Sequence, residues 1–203
     1  YIKDEQIEEF NKPKSIEKYK SDIDVVYEDS NILIVNKPKG LLIHGDQEEK
    51  RITLSNMVLS YLFNKGEIKN DGTGFTPGPC HRLDRNTSGL VVFAKNINSS
   101  QKMMDLFKTH DEIKKTYLAL LNGVTEENGT INAPLLKDEN EGFVKVSSLA
   151  NGAKTAITEY KKIKDNGEYS LVEATLITGR THQLRVHFSY IGHPILGDQK
   201  YGN

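Results

Sequence analysis

Along residues 22–202 the apolar positions fall into short runs with either strand or helix periodicity. Val25-Val26-Tyr27 and Ile32-Leu33-Ile34-Val35 flank Glu28-Asp29-Ser30-Asn31, which predicts a β-hairpin closed by Asp, Ser and Asn, residues that favour tight turns. Asn36-Lys37-Pro38-Lys39-Gly40 breaks the second strand, and Leu41 to Gly45 is expected to form another extended piece. Leu54, Met57, Val58, Tyr61 and Leu62 recur at helical spacing and predict a helix from Thr53 to Phe63. Residues 64–79, with four Gly and two Pro, read as a loop. Leu90 to Ala94 predicts a strand, and Ser99 is expected to cap a helix whose inner face holds Met103, Met104, Leu106 and Phe107.

Thr116 to Leu121 predicts a strand that stops at Asn122-Gly123. Residues 125–155 are polar, with short extended pieces around Ile131 and Val144 to Val146. Ile157 to Ile163 and Tyr169 to Ile177 predict two strands joined through Asp165-Asn166-Gly167. Thr181 to Ile191 predicts a helix with Leu184, Phe188 and Ile191 on one face and Gly192 at its C-terminal cap. Strands linked by hairpins, with helices inserted, predict an α+β fold built on a mixed, mainly antiparallel sheet with flanking helices.

The length of 203 residues, 36% hydrophobic and 27% charged, suits one domain with a sizeable core. No stretch approaches the ~18 consecutive apolar residues of a membrane-spanning helix, so no membrane partner is expected. The single Cys80 cannot close an internal disulfide, which fits a reducing compartment and a cytoplasmic location, and it reads as a small buried side chain. The net charge of −1 conceals an asymmetry: residues 1–30 hold five Lys against nine Asp and Glu, leaving 22 basic and 19 acidic residues in the body. A mildly basic body permits an RNA groove without arguing for one. Residues 1–20 are charged and aperiodic and read as a linker ahead of a domain spanning 21–203.

His81-Arg82-Leu83-Asp84-Arg85-Asn86-Thr87-Ser88-Gly89 is the densest chemical signal. It sets one carboxylate, Asp84, between two arginines at the mouth of a predicted strand, where it is poised to stay ionised and act as a nucleophile. His-Arg-Leu-Asp-x-x-Thr-Ser-Gly resembles the signature of the RluA family of RNA pseudouridine synthases. Further segments extend the resemblance in sequence order. They are Asn36-Lys37-Pro38-x-Gly40 with His44-Gly45; Lys114-Lys115-Thr116-Tyr117-Leu118; Thr178-Gly179-Arg180-Thr181-His182-Gln183-Leu184-Arg185-Val186-His187; and Gly192-His193-Pro194-Ile195-Leu196-Gly197-Asp198 with Tyr201-Gly202.

The resemblance implies the pseudouridine synthase fold with a central active-site cleft, and an isomerase that converts uridine to pseudouridine. It is closest to the RluC/RluD branch, which implies large-subunit ribosomal RNA as substrate, with tRNA or another RNA as the alternative. Asp84 is implied as the catalytic carboxylate, Arg185 as its charge partner and Tyr117 as the face against the target base. Arg82 is implied to lower the cost of extruding that base, about a few kcal/mol. Leu184 would line the pocket, with His81, Arg180 and Lys115 as further substrate contacts; Lys37, Lys39, Lys114 and Arg85 are candidates for phosphate. The sequence leaves open whether Asp84 attacks C1′, attacks the base or removes a sugar proton. In this branch residues 1–20 would be the trailing end of an S4-type RNA-binding domain. The strands that follow Tyr201-Gly202 in the family are expected to be missing here, leaving a sheet edge exposed to pairing.

The isomerisation needs no redox cofactor, nucleotide or metal. His182, His187 and His193, five and six residues apart, do not match the i, i+4 spacing of a helical metal site, and His182 and His187 read as hydrogen-bonding members of the site wall or core. Two rival readings, a nucleoside hydrolase or glycosidase and a non-catalytic RNA-binding module, leave the 178–187 segment unexplained; the first also calls for two carboxylates.

Overall fold

The computed structural model describes residues 22–46, 52–69, 74–109, 112–138 and 142–202. The leader expected at 1–20 lies outside them. The chain divides after Lys108 into two compact units.

The first unit holds β1 (Asp24–Glu28), β2 (Ile32–Lys37), α1 (Leu54–Asn64), β3 (Gly78–Pro79), β4 (Gly89–Ala94) and α2 (Ile97–Thr109). Its sheet runs β1-β2-β4-β3, antiparallel throughout. Asp29 closes the predicted β1–β2 turn by accepting the N–H groups of Asn31 and Ile32 at 2.7 and 2.8 Å. Leu33 and Val35 of β2 lie opposite Phe93 and Val91 of β4, and all four are fully buried, as the period of two requires. Leu54, Val58 and Leu62 add the inward stripe of α1.

Three local expectations for this unit are corrected. Leu41 to Gly45 forms no strand, only a bridge from Leu42 to Thr53. The carbonyls of Leu42 and Ile43 instead accept the N–H groups of Leu54 and Ser55, donors that the first turn of a helix leaves without intrahelical partners. The cap of α2 is not Ser99 alone: Ser99 N–H donates to the Asn96 side chain at 2.9 Å and Asn96 N–H to Ser99 Oγ at 3.3 Å, a reciprocal box with Asn96 in the leading position. Met104 is exposed rather than inward, and no residue of α2 is fully buried.

The second unit holds β5 (Lys115–Asn122), β6 (Asn128–Asn132), β7 (Leu135–Lys137), β8 (Val144–Val146), β9 (Ile157–Asp165), β10 (Tyr169–Leu176) and α3 (Gln183–Tyr190). Its main sheet is β5-β10-β9-β6, and β7-β8 forms a separate hairpin; every pairing is antiparallel. The turn predicted at 165–167 joins β9 to β10, with Gly167 at φ +85° and Asn166 Oδ1 accepting from Glu168 and Tyr169. Helix α3 has apolar residues on two sides. Phe188 and Leu184 pack on Ala119, Leu121, Val172 and Ala174 of the main sheet, whereas Val186 joins Leu135, Val144, Ala156 and Tyr201 beside the small hairpin. Residues 194–196 run along β5, with Asn122 N–H donating to Pro194 and Leu196 N–H to Leu120, so this part of the β5 edge is paired. The expected α+β class and mainly antiparallel pairing are observed. No helix among the described residues is long and apolar enough to cross a membrane.

Candidate active site

The sequence-predicted residues are divided between the units: His81, Arg82 and Asp84 in the first, Lys115, Tyr117, Arg180, Leu184 and Arg185 in the second.

In the first unit, Asp84 begins a tight turn in which Thr87 N–H donates to the Asp84 carbonyl at 3.1 Å. Asp84 is half-buried and its neighbours Arg82 and Arg85 are exposed, while Leu83 is buried. The turn is fastened to the loop after β2: Gly40 N–H donates to the Arg85 carbonyl at 2.8 Å, and Lys37 Nζ donates to the same carbonyl at 3.0 Å. Lys37 Nζ also donates to Leu41 at 2.8 Å and Pro38 at 3.0 Å, so three backbone oxygens hold its ammonium. This corrects the expectation that Lys37 contacts phosphate. Lys37 follows Leu33 and Val35 at intervals of two, on the inner face of β2, and is 0% exposed. Its register partner is Gly89, which offers no side chain there. Burial lowers the Lys37 pKa, and the Asp84 charge acts in the opposite direction. The Asp84 turn is thereby pinned to a buried cation.

His81 Nε2 accepts the Val92 N–H at 3.2 Å, which requires that nitrogen to be unprotonated, and its ring lies 4.6 Å from that of Phe107. It forms a wall beside β4. Cys80 is half-buried, and burial raises its thiol pKa.

In the second unit, Lys115 and Tyr117 occupy the same face of β5 as the buried Ala119 and Leu121, both half-buried towards the strand's beginning. Burial lowers the Lys115 pKa. Its Nζ comes close enough to Gly179 that a Cβ there would sit 3.4 Å away, so the 178–181 loop passes beside it. Gln183 fastens that loop. Its Oε1 accepts Arg180 N–H and Thr178 Oγ1, both at 2.9 Å, and its Nε2 donates to the Ile157 carbonyl and Thr158 Oγ1. Arg180 Nε donates to the Thr155 carbonyl at 2.9 Å.

His187 is buried between Thr158 Oγ1 at 2.9 Å and the Ala133 carbonyl at 3.0 Å. A carbonyl only accepts, so Nε2 carries the proton and Nδ1 takes the threonine hydroxyl's. Burial lowers its pKa, with the Ala133 bond opposing, which favours neutral imidazole in a core position. His193 Nδ1 meets the Asn122 carbonyl at 3.0 Å. Both histidines act as structural ties.

Arg185 lies in the first turn of α3 between the anchored Leu184 and Val186. Its Nε and Nη2 donate to Asp198 Oδ2 and Oδ1 at 2.7 and 2.8 Å, a side-on bidentate pair. Its guanidinium carbon lies 4.9 Å from the centroid of the Tyr201 ring. Burial raises the Asp198 pKa, but Arg185 and the N–H groups of Lys200 and Tyr201 outweigh it and bring it down to about 2. The Tyr201 hydroxyl accepts Val144 N–H at 3.0 Å and meets His182 Nδ1 at 2.7 Å. His182 itself sits at φ +54°, the one positive-φ residue other than glycine among the described residues. Such a conformation carries strain on the order of 1–3 kcal/mol, a feature that clusters at functional sites.

Sequence reasoning passed over Gln183, Asp198 and Tyr201 as working residues. The signal for the last two was present: Gly197-Asp198-x-x-Tyr201-Gly202 pairs a carboxylate with two glycines and an aromatic, which marks a built turn.

A sequence profile of the RNA pseudouridylate synthases matches residues 31–190. The RNA pseudouridine synthase YlyB of Bacillus subtilis is 34% identical over 182 residues, 89% of this chain and 58% of that protein. Ribosomal large subunit pseudouridine synthase D of Borreliella burgdorferi is 37% identical, covering 89% of this chain and 55% of its own length. The synthase D of Zymomonas mobilis is 38% identical, covering 89% and 56%. The chain thus spans little more than half the length of these relatives. The structure of human RNA Pseudouridylate Synthase Domain Containing 1 superposes with a TM-score of 0.72 at 28% identity, covering 94% of this chain and 72% of that one. For human RNA Pseudouridylate Synthase Domain Containing 4 the TM-score is 0.73, also at 28% identity, covering 89% and 69%.

Proposed function

Because this chain belongs to the RNA pseudouridylate synthase family, in its RluA-type, RluD-like branch, we propose that it isomerises uridine to pseudouridine in large-subunit ribosomal RNA, with Asp84 as the catalytic carboxylate. The observation that carries this reading is the setting of Asp84: a half-buried carboxylate on a turn tied through the Arg85 carbonyl to a fully buried lysine, inside the segment the family profile matches. The target RNA is supported by the synthase D relatives, whose names specify the large ribosomal subunit.

The reaction breaks the N1–C1′ bond and joins C1′ to C5; C5 gives up its hydrogen and N1 takes a proton. No electrons are gained or lost, so the enzyme's task is to hold charge and orientation around a uracil that detaches and turns. In this reading Asp84 acts on the extruded nucleotide, with Arg185 as the charge partner that the family motifs imply. Tyr117 offers a ring face to the base, a contact worth about 1–3 kcal/mol per stacked base. The exposed Arg82 supports the RNA around the vacated stack, which offsets part of an unstacking cost of a few kcal/mol. Leu184 closes the apolar side, His81 walls the turn, and Lys115 and Arg180 contact the strand from β5 and the 178–181 loop.

The test is a pseudouridine map of ribosomal RNA from cells carrying the intact gene, the Asp84→Asn allele and a deletion. The expected result is at least one large-subunit uridine left unmodified in both altered strains. A map unchanged by the deletion, together with no modification of ribosomal RNA in vitro, would contradict the proposal.

A further inference from the structure

We propose that the Gly197–Gly202 turn is a positioning device for the reaction, in which Asp198 and Tyr201 fix the edge and the face of the Arg185 guanidinium. The inference rests on the isomerase reading above and goes beyond it by assigning work to a turn that begins fourteen residues past the helix start.

Three independent restraints converge on one head group. The first is the grip of Asp198, whose side chain is only 5% exposed although the arginine it holds is 24% exposed. The carboxylate is fixed within its own turn by two backbone N–H groups, so it presents its two oxygens to the more exposed arginine in one set direction. The second is the buried Tyr201 ring, with the guanidinium carbon over it at 4.9 Å from its centroid. The third is the backbone. Asp198 Oδ1 accepts the N–H groups of Lys200 and Tyr201, and Gly202 N–H donates to the Asp198 carbonyl at 2.8 Å. A Cβ on Gly202 would collide with that carbonyl oxygen, so the turn closes only with glycine there.

Tyr201 is in turn held from both sides. Val144 N–H can only donate, so the tyrosine hydroxyl accepts from it, and the same hydroxyl shares a second hydrogen bond with His182 Nδ1. His182 reaches that position from a left-handed backbone immediately before α3, two residues ahead of Leu184. The strained histidine, the tyrosine and the aspartate form one chain of contacts that ends on Arg185. Side-on engagement through Nε and Nη2 sets the plane and direction of the guanidinium, including its Nη1 edge. A misaimed group displaced by about 1 Å can slow a reaction about 10²-fold without weakening substrate binding.

The experiment measures release of tritium from [5-³H]uridine-labelled ribosomal RNA by the intact protein, in the wild type, Asp198→Asn, Arg185→Gln and the double variant. Asp198→Asn is expected to lower the maximal rate roughly 100-fold with KM changed less than about threefold, because aim is lost and RNA contacts are kept. In the Arg185→Gln background the same change is expected to slow the reaction less than about threefold, the non-additivity of residues acting through one group. A rate for Asp198→Asn within threefold of wild type overturns the inference, as does an equal loss in both backgrounds, which marks a merely structural role. Should Asp198→Asn not fold, Tyr201→Phe is compared in the same two backgrounds. It keeps the ring and removes the tie to His182 and Val144, with about a tenfold loss of maximal rate expected only where Arg185 is present. A wild type that isomerises normally with an unaffected Tyr201→Phe overturns the inference alone. A wild-type protein that releases no tritium overturns the isomerase reading and this inference with it.

Discussion

Arg185 and Asp198, thirteen residues apart in sequence, face each other through two hydrogen bonds of 2.7 and 2.8 Å. The planar fork of arginine matches the two carboxylate oxygens, and a lysine ammonium cannot reproduce that geometry. Arg185→Lys therefore keeps the charge and loses the alignment. The expected outcome is a fall in kcat of roughly 100-fold with little change in RNA affinity. Single-turnover rates beside filter-binding measurements check it.

Lys37 makes a second, independent prediction. Its ammonium is enclosed by the carbonyls of Pro38, Leu41 and Arg85. Lys37→Met removes the charge and the shared ammonium donor, leaving the Arg85 carbonyl only its Gly40 N–H bond. Stability should fall by roughly 2–5 kcal/mol, lowering Tm by roughly 5–15 °C. The Asp84 turn loosens with it, so activity should fall even at temperatures where the variant is folded. Calorimetry and tritium release on one preparation test both parts.

Two carboxylates set the acid limit. Burial raises the pKa of Glu28, but hydrogen bonds from Lys65, Lys95 and Tyr61 outweigh it and bring it to about 2; Asp198 likewise stands at about 2. Both values lie below the ordinary 4.5 and 3.8, so the unfolded chain binds more protons as the solution is acidified. Their stabilisation is complete above about pH 5 and is lost progressively as the pH falls through the folded values near 2. Urea midpoints should drop across that window. Glu28→Gln should be less stable than wild type at pH 7, with the difference shrinking towards pH 2.

Gly202→Ala should destabilise the second unit by roughly 1–3 kcal/mol, since the new methyl meets backbone rather than a movable side chain. It should also reproduce part of the catalytic loss of Asp198→Asn. Chemical denaturation and kcat provide the two readings.

Much of this architecture was legible from residue pattern. Asp29 at the β1–β2 turn, Asn166-Gly167 at the β9–β10 turn and the apolar stripes of α1 and α3 are local signals, and local chemistry decided them. Lys37 was misread because composition says surface, whereas the strand register turns it inward opposite Gly89. β7, three residues long, has too short a period to announce itself and exists through its pairing with β8. Ser99 was the conspicuous cap, yet Asn96 leads because the helix begins two residues earlier. The grip of Asp198 on Arg185 could not be read from spacing, since it depends on how a turn after α3 folds back along that helix.

The most direct test of the central claim compares wild type with Asp84→Asn on one ribosomal RNA transcript, measuring binding and tritium release together. The account predicts equal affinity within about threefold and a rate reduced by at least about 10³-fold in the variant. Isomerisation by Asp84→Asn at a rate near that of the wild type would contradict it.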